Sequence, residues 1–231
     1  MTKINRFLAR LLTTVLAVML AFAFISCPTD ADDPQPSKPL SAKAGLYAKA
    51  PPIYQEDVAD YFISYDNVAK NDVIAAVAYA KAHPGPDIAY TLLIDSDADV
   101  TARQDIYADN FNLYIQGIGG MKTINAPSGG LMFRMSDGSN KRLTIGNNIT
   151  LKGKTGGTTS YMILNYVGTL TLTGNAKITG HTTSSNMGTV YMSTATGGDP
   201  ILIMEDNAEI SGNSSTDTVV NATGGVVLSC P

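Results

Sequence analysis

Three carboxylates at alternating positions, Asp95, Asp97 and Asp99, form the densest acidic spacing in the chain. Acids spaced in this way supply the oxygen ligands of calcium loops. Such a loop needs glycine at its sixth place and a bidentate glutamate at its twelfth, but those places hold Val100 and Ile106. The run therefore reads first as an exposed acidic turn and second as a set of calcium ligands. No other cofactor is suggested. His83 and His181 have no histidine or cysteine nearby in sequence, and tetrahedral metal sites need such groups in clusters. No serine or cysteine sits in a nucleophile elbow, and no glycine loop fits a phosphate. Gly117-Ile-Gly-Gly120 is too short to bind a dinucleotide and has no helix pattern after it.

A polysaccharide-cleaving site needs acids and a base converging on one face. An inverting hydrolase sets two carboxylates roughly 6.5–9.5 Å apart. The late bases are Arg134, Lys141, Arg142, Lys152, Lys154 and Lys177, and Glu205 or Asp206 with Glu209 makes only a nominal acid pair. Spacing argues for no convergent set, so we expect no catalytic residues.

The elements that would position any site begin after an export signal. Lys3, Arg6 and Arg10 precede an apolar run from Leu11 to Ile25, and the first acid is Asp30. That run is shorter than the roughly 20 residues that span a hydrocarbon core, and its flanks suit a cleaved signal peptide. Phe24-Ile25-Ser26-Cys27 resembles the lipobox of bacterial lipoproteins, with Phe24 where leucine is usual, as in the looser lipoboxes of spirochaetes. The resemblance implies a signal peptide over 1–26, acylation of Cys27 and membrane attachment through lipid. Residues 27–44 are rich in Pro, Asp, Ser and Lys and fit a flexible tether.

Cys27 and Cys230 are the only cysteines, so lipidation leaves Cys230 without a partner and excludes a disulfide framework. Removing 1–26 takes three of 16 basic residues and none of 20 acids. The acidic remainder, with no basic patch and no Trp, argues against a nucleic-acid partner.

A repeat dominates the second half. Leu143 to Gly153, Leu170 to Gly180 and Leu202 to Gly212 align without gaps, their starts 27 and then 32 residues apart. Each has Asn at its sixth place (Asn148, Asn175, Asn207), an apolar ninth place (Leu151, Ile178, Ile210) and a closing glycine (Gly153, Gly180, Gly212). Each leads through a polar turn to a further β-prone run: Tyr161–Leu164, Gly188–Met192 and Gly225–Leu228, with an earlier copy in Gly129–Met135. Stacked coils of this period bury a core that one coil cannot cover. Alternation turns Leu170 and Leu172 inward and Thr171 and Thr173 outward. Asn tolerates the left-handed backbone of a coil corner, and stacked amides can bond along the ladder.

The units Asn175-Ala-Lys-Ile-Thr-Gly180 and Asn207-Ala-Glu-Ile-Ser-Gly-Asn213 resemble right-handed parallel β-helix repeats. Such repeats occur in large spirochaete surface lipoproteins and, more loosely, in chlamydial polymorphic membrane proteins. The resemblance spans roughly residues 70–229 and implies a pectin-lyase-like superhelix. It implies no lyase activity, because one fold hosts many functions.

We expect an all-β chain: a poorly defined lead-in over 45–70, a capping helix over 71–84 and coils over 85–231. Asn71 should cap a helix from Asp72 to Ala82, with Val73, Val77 and Ala80 on one face and Pro84-Gly-Pro86 ending it. Strands follow at Tyr90–Ile94 and Asn112–Gln116. No capping pattern closes the far end at Cys230-Pro231. The functional expectation is a non-catalytic lipoprotein of the cell envelope, on the outer membrane, that displays its β-helix to a host or cell-surface protein or glycan, adhesion included. The alternatives are a carbohydrate-binding or polysaccharide-cleaving β-helix and a fragment of a longer surface protein.

Overall fold

The computed structural model describes residues 44–47, 68, 70–156, 161–183, 188–194, 198–216 and 225–229. The expected signal peptide, Cys27, the tether up to residue 43 and Cys230 lie outside them. The described residues wind into a parallel β-solenoid of about four turns with one short helix. Strand β1 (Gly45–Tyr47) and helix α1 (Val73–Ala82) precede five passes around the axis. The passes are β2 (Tyr90–Ile94), β3 (Ala98–Asp99), β4 (Gln104–Ile106); β5 (Asn112–Gly117), β6 (Lys122–Asn125), β7 (Phe133–Met135); and β8 (Arg142–Ile145), β9 (Ile149–Lys152), β10 (Ile163–Asn165). The fourth holds β11 (Gly168–Leu172), β12 (Lys177–Thr179), β13 (Thr182–Thr183) and β14 (Val190–Ser193). The last holds β15 (Pro200–Met204), β16 (Glu209–Ile210), β17 (Ser214–Ser215) and β18 (Val226–Ser229).

Corresponding strands pair in parallel and in the register the repeat predicts. Leu113, Leu143, Leu170 and Leu202 align along one sheet, and Ile124, Leu151, Ile178 and Ile210 along the second. Phe133, Ile163, Val190 and Val226 align along the third. Alternation along each strand sends these residues inward, where all but the last-pass members are buried in one core cluster. Burying each such side chain contributes about 1.5–3 kcal/mol, so coils stabilise one another only when stacked.

The three return strands start later than their apolar runs suggest. β14 begins at Val190 because Gly188 adopts φ 65, and β7 begins at Phe133 after the turn at Gly130, φ 81. In β10, Met162 still donates to the carbonyl of Thr189 before the ladder opens.

The head end is sealed twice. Val73, Ala76, Val77 and Ala80 of α1 join the core cluster beside Leu92 and Leu113, as the apolar face predicts. The cap differs from the expectation: Asp72, not Asn71, accepts from the Ala75 N–H at 2.9 Å. Asn71 is left-handed, φ 63, and its amide is spent on the turn after β2. It donates to Asp95 Oδ1 (3.0 Å) and Ser96 Oγ (2.8 Å) and accepts from the Asp95 N–H (2.9 Å). The second seal lies in the lead-in. β1 pairs antiparallel with β2, Leu46 opposite Leu92, and Tyr47 packs with Leu93 and Ile118 in a small outer cluster.

Candidate functional site

A corner of the solenoid carries the site. Asp99, Asn125 and Lys152 end β3, β6 and β9 and stand in register on successive passes. Asn125 Nδ2 donates to Asp99 Oδ1 at 2.9 Å. Backbone bonds hold the corner: Val100 N–H to the Asn125 carbonyl (3.0 Å), Ala126 N–H to that of Lys152 (2.8 Å). Beyond it the chain rises in a turn closed by Gly130 N–H on Pro127 O, 2.9 Å. Between this turn and Gly153-Lys154-Thr155 lies a cleft of about 550 Å³, walled also by Thr101 and Ser128. A second cleft of about 350 Å³ shares Thr101, Pro127 and Ser128 and reaches Arg103.

The lining of this cleft is largely polar. Arg103 is committed to Asp105 by two hydrogen bonds, 2.9 and 3.1 Å. None of the ion pairs formed among the described residues uses Lys152 or Lys154. Lys152 and Lys154 line the first cleft together with Thr101, Ser128 and Thr155. Spacing carried a trace of the cleft, since Asp99, Asn125 and Lys152 stand 26 and 27 residues apart. The loops that wall it left no such trace.

The acids singled out from sequence are held one by one. Asp95 pairs with Lys70 at 2.5 Å, and Lys70 and Asn71 together hold its carboxyl below the ordinary carboxylate range. Asp97 Oδ1 accepts from the Thr123 N–H at 2.7 Å, and Asp99 accepts from Asn125. Each carboxylate faces a different partner, two of them on the next pass. Among the described residues no group of three or more His, Cys, Asp or Glu is arranged to hold a metal ion. Asp206 turns back to the Gly174 N–H (2.9 Å) and Thr173 Oγ1 (2.8 Å), which lower its pKa. Glu209 engages Ser211 and Lys177, which lower its own. The nominal acid pair is thus divided between two sets of partners. Arg134 forms an ion pair with Asp105 at 3.1 Å, and Lys141 is buried. Buried His181 donates its backbone N–H to Asn213 Oδ1 at 3.0 Å.

The repeated asparagines and glycines sit at coil corners but do not share one role. Asn148 adopts φ 60, whereas in the next two units the left-handed residue is one place earlier, Gly174 (φ 66) and Asp206 (φ 57). The Asn175 side chain accepts from the Asn148 backbone N–H and donates to Asn148 Oδ1; Asn207 joins through its backbone N–H to the Gly174 carbonyl, 2.8 Å. Gly180 (φ 68) and Gly212 (φ 64) are left-handed. Gly153 is demanded by crowding instead, since a Cβ there would lie 2.3 Å from His181 Cβ.

Comparison with family models, with curated proteins and with solved structures finds no match to this chain.

Proposed function

We propose that the chain is a cell-envelope lipoprotein, exported by residues 1–26 and anchored through acylated Cys27, that presents a non-catalytic solenoid for interaction. The observation that carries this reading is the basic n-region, apolar run and Phe24-Ile25-Ser26-Cys27, upstream of a solenoid in which Asp97, Asp99, Asp105 and Asp206 bond to neighbouring coils. A right-handed winding fits the general hand of parallel crossovers. Placement on the outer membrane, with host or cell-surface proteins and glycans as partners and adhesion as the outcome, follows from the same resemblance. The test is metabolic lipid tagging of wild type and Cys27→Ala, combined with protease treatment of intact cells. Loss of the tag in the variant and removal of the wild type by protease support the reading. A wild type that never takes the tag ends it.

The corner cleft favours a second reading, a glycan-binding solenoid. Lys152 and Lys154 would meet acidic groups, and the threonine and serine hydroxyls would meet sugar hydroxyls. Binding of an acidic polysaccharide that weakens in Lys152→Gln/Lys154→Gln would support this reading, and unchanged binding would oppose it. Release of reducing or unsaturated ends during the assay would move the protein to the polysaccharide-cleaving class.

A further inference from the structure

The two ends of the solenoid are treated differently. At the head, β1 covers the β2 edge and α1 covers the core. At the tail, among the described residues, β15 pairs with β11 on one side only. Its outward residues Ile201 and Ile203 are 49% and 37% exposed, and inward Met204 is 44% exposed. In the preceding pass the same outward positions hold Thr169 and Thr171. On β18, Leu228 continues the inward column of Met192 yet is 71% exposed. Natural edge strands are blunted by charge, by Pro or by brevity. β15 is five residues of Pro-Ile-Leu-Ile-Met, with Pro only at its first place and no charge. An edge apolar on both faces suits coverage by another strand.

The flanking charges say what kind of strand. Asp199 precedes β15 and Glu205 and Asp206 follow it, and the chain has no Lys or Arg after Lys177. Lys177 is itself paired with Glu209 at 3.3 Å. A second copy pairing antiparallel about Leu202 would set Asp199 opposite Glu205 at each end, and like charges directly opposite are destabilising. A segment with cationic ends turns the same acids into attraction. We infer that the tail edge is a docking site for an extended, cationic segment of another protein, which adds beside β15 as a sixth coil-like strand. Its side chains on one face would cover Leu202 and Met204 and those on the other face Ile201 and Ile203, and its terminal Lys or Arg would meet Asp199 and Glu205.

Fluorescence anisotropy with the full-length chain in detergent tests this, using two labelled octapeptides, Lys-Lys-Val-Thr-Val-Thr-Lys-Lys and its Glu-flanked counterpart. We expect saturable binding of the cationic peptide, at least about tenfold weaker binding of the anionic one, and weakening by salt. Ile203→Lys, on an exposed outward position, should reduce binding by about tenfold or more, whereas Met121→Lys, on another exposed apolar residue, should leave it unchanged. Equal binding of both peptides, no binding of either, or an indifferent Ile203→Lys overturns the inference. So does a concentration-dependent dimer in sedimentation that Ile203→Lys abolishes, which would assign the edge to self-association.

Discussion

Asn148 and Asn175 hold each other across two coils: the Asn175 side-chain oxygen accepts from the Asn148 backbone N–H at 2.5 Å, and its amide donates to Asn148 Oδ1 at 3.1 Å. Asn148 also has φ 60, so it carries both a bond and a backbone cost that Asn tolerates. Asn175→Ala should lower unfolding free energy by about 1 kcal/mol, one hydrogen-bonded pair. Asn148→Ala should cost about 2–3 kcal/mol, because it adds the left-handed penalty for alanine, and Asn148→Gly should recover most of that difference. Urea titration of the three variants gives the ordering. Equal losses for Asn148→Ala and Asn148→Gly would show that the left-handed backbone contributes nothing.

The closing glycines separate by a different pair of substitutions. Gly180 is left-handed at φ 68 with only Lys152 Cγ within reach, 3.7 Å from a Cβ. Gly153 lies against His181, whose Cβ and Cα would be 2.3 and 2.6 Å away. Asn tolerates left-handed backbone but cannot shrink its Cβ. Gly180→Asn should therefore cost under about 1 kcal/mol, while Gly153→Asn and Gly153→Ala should each cost about 1–3 kcal/mol or more by overpacking against backbone. Thermal unfolding monitored by circular dichroism decides it, and a Gly153→Ala variant as stable as Gly180→Asn would contradict the crowding.

These two glycines also mark where sequence reading runs out. Gly153 and Gly180 occupy the same place in aligned units, so periodicity assigns them one role. The difference lies in the backbone of His181, 28 residues further on from Gly153, and no local pattern carries it. The coil register was legible for the opposite reason. Alternation is local, and one misplaced residue would turn Leu143, Leu170 and Leu202 to solvent. β1 was not legible: three residues, Gly45–Tyr47, pair antiparallel in a parallel fold, and a run that short has no period. The acids of the 95–99 run could be read as an exposed turn from spacing, but their partners Lys70, Asn71, Thr123 and Asn125 come from other passes or from before the first coil. The clefts depend on how far the loops at 126–130 and 153–155 rise, which composition does not encode.

The Asp95 cluster predicts an acid-sensitive link between helix and first coil. Lys70 and Asn71 depress the Asp95 pKa. A carboxyl depressed in the folded state contributes stability above its unfolded pKa of about 3.9 and loses it as pH falls through the lower folded value. Its side chain is 33% exposed, so solvent screening should keep the contribution below about 1 kcal/mol. Asp95→Asn should lower Tm at pH 7, and its difference from wild type should fade as pH falls below the unfolded carboxyl value and through the lower folded one. A difference constant across that range would assign the loss to packing instead.

Lys141 is the converse case. Its side chain is 1% exposed, and among the described residues its Nζ has no hydrogen-bond partner. Burial lowers its pKa, with Asp109 and Asp137 opposing the shift. A base whose folded pKa is lowered binds more protons unfolded than folded between the two values. The charged form therefore penalises the fold at neutral pH, and the penalty disappears as pH rises toward the unfolded value of about 10.4. Lys141→Met keeps most of the stem's packing and removes the ammonium. It should stabilise the protein by about 1 kcal/mol at pH 7, in line with the gain seen when imperfectly paired buried charges become apolar. The gain over wild type should shrink in urea titrations as pH rises from the lowered folded value toward the unfolded one. A destabilised Lys141→Met at pH 7 would instead mean that Asp109 and Asp137 more than offset the burial of the charge.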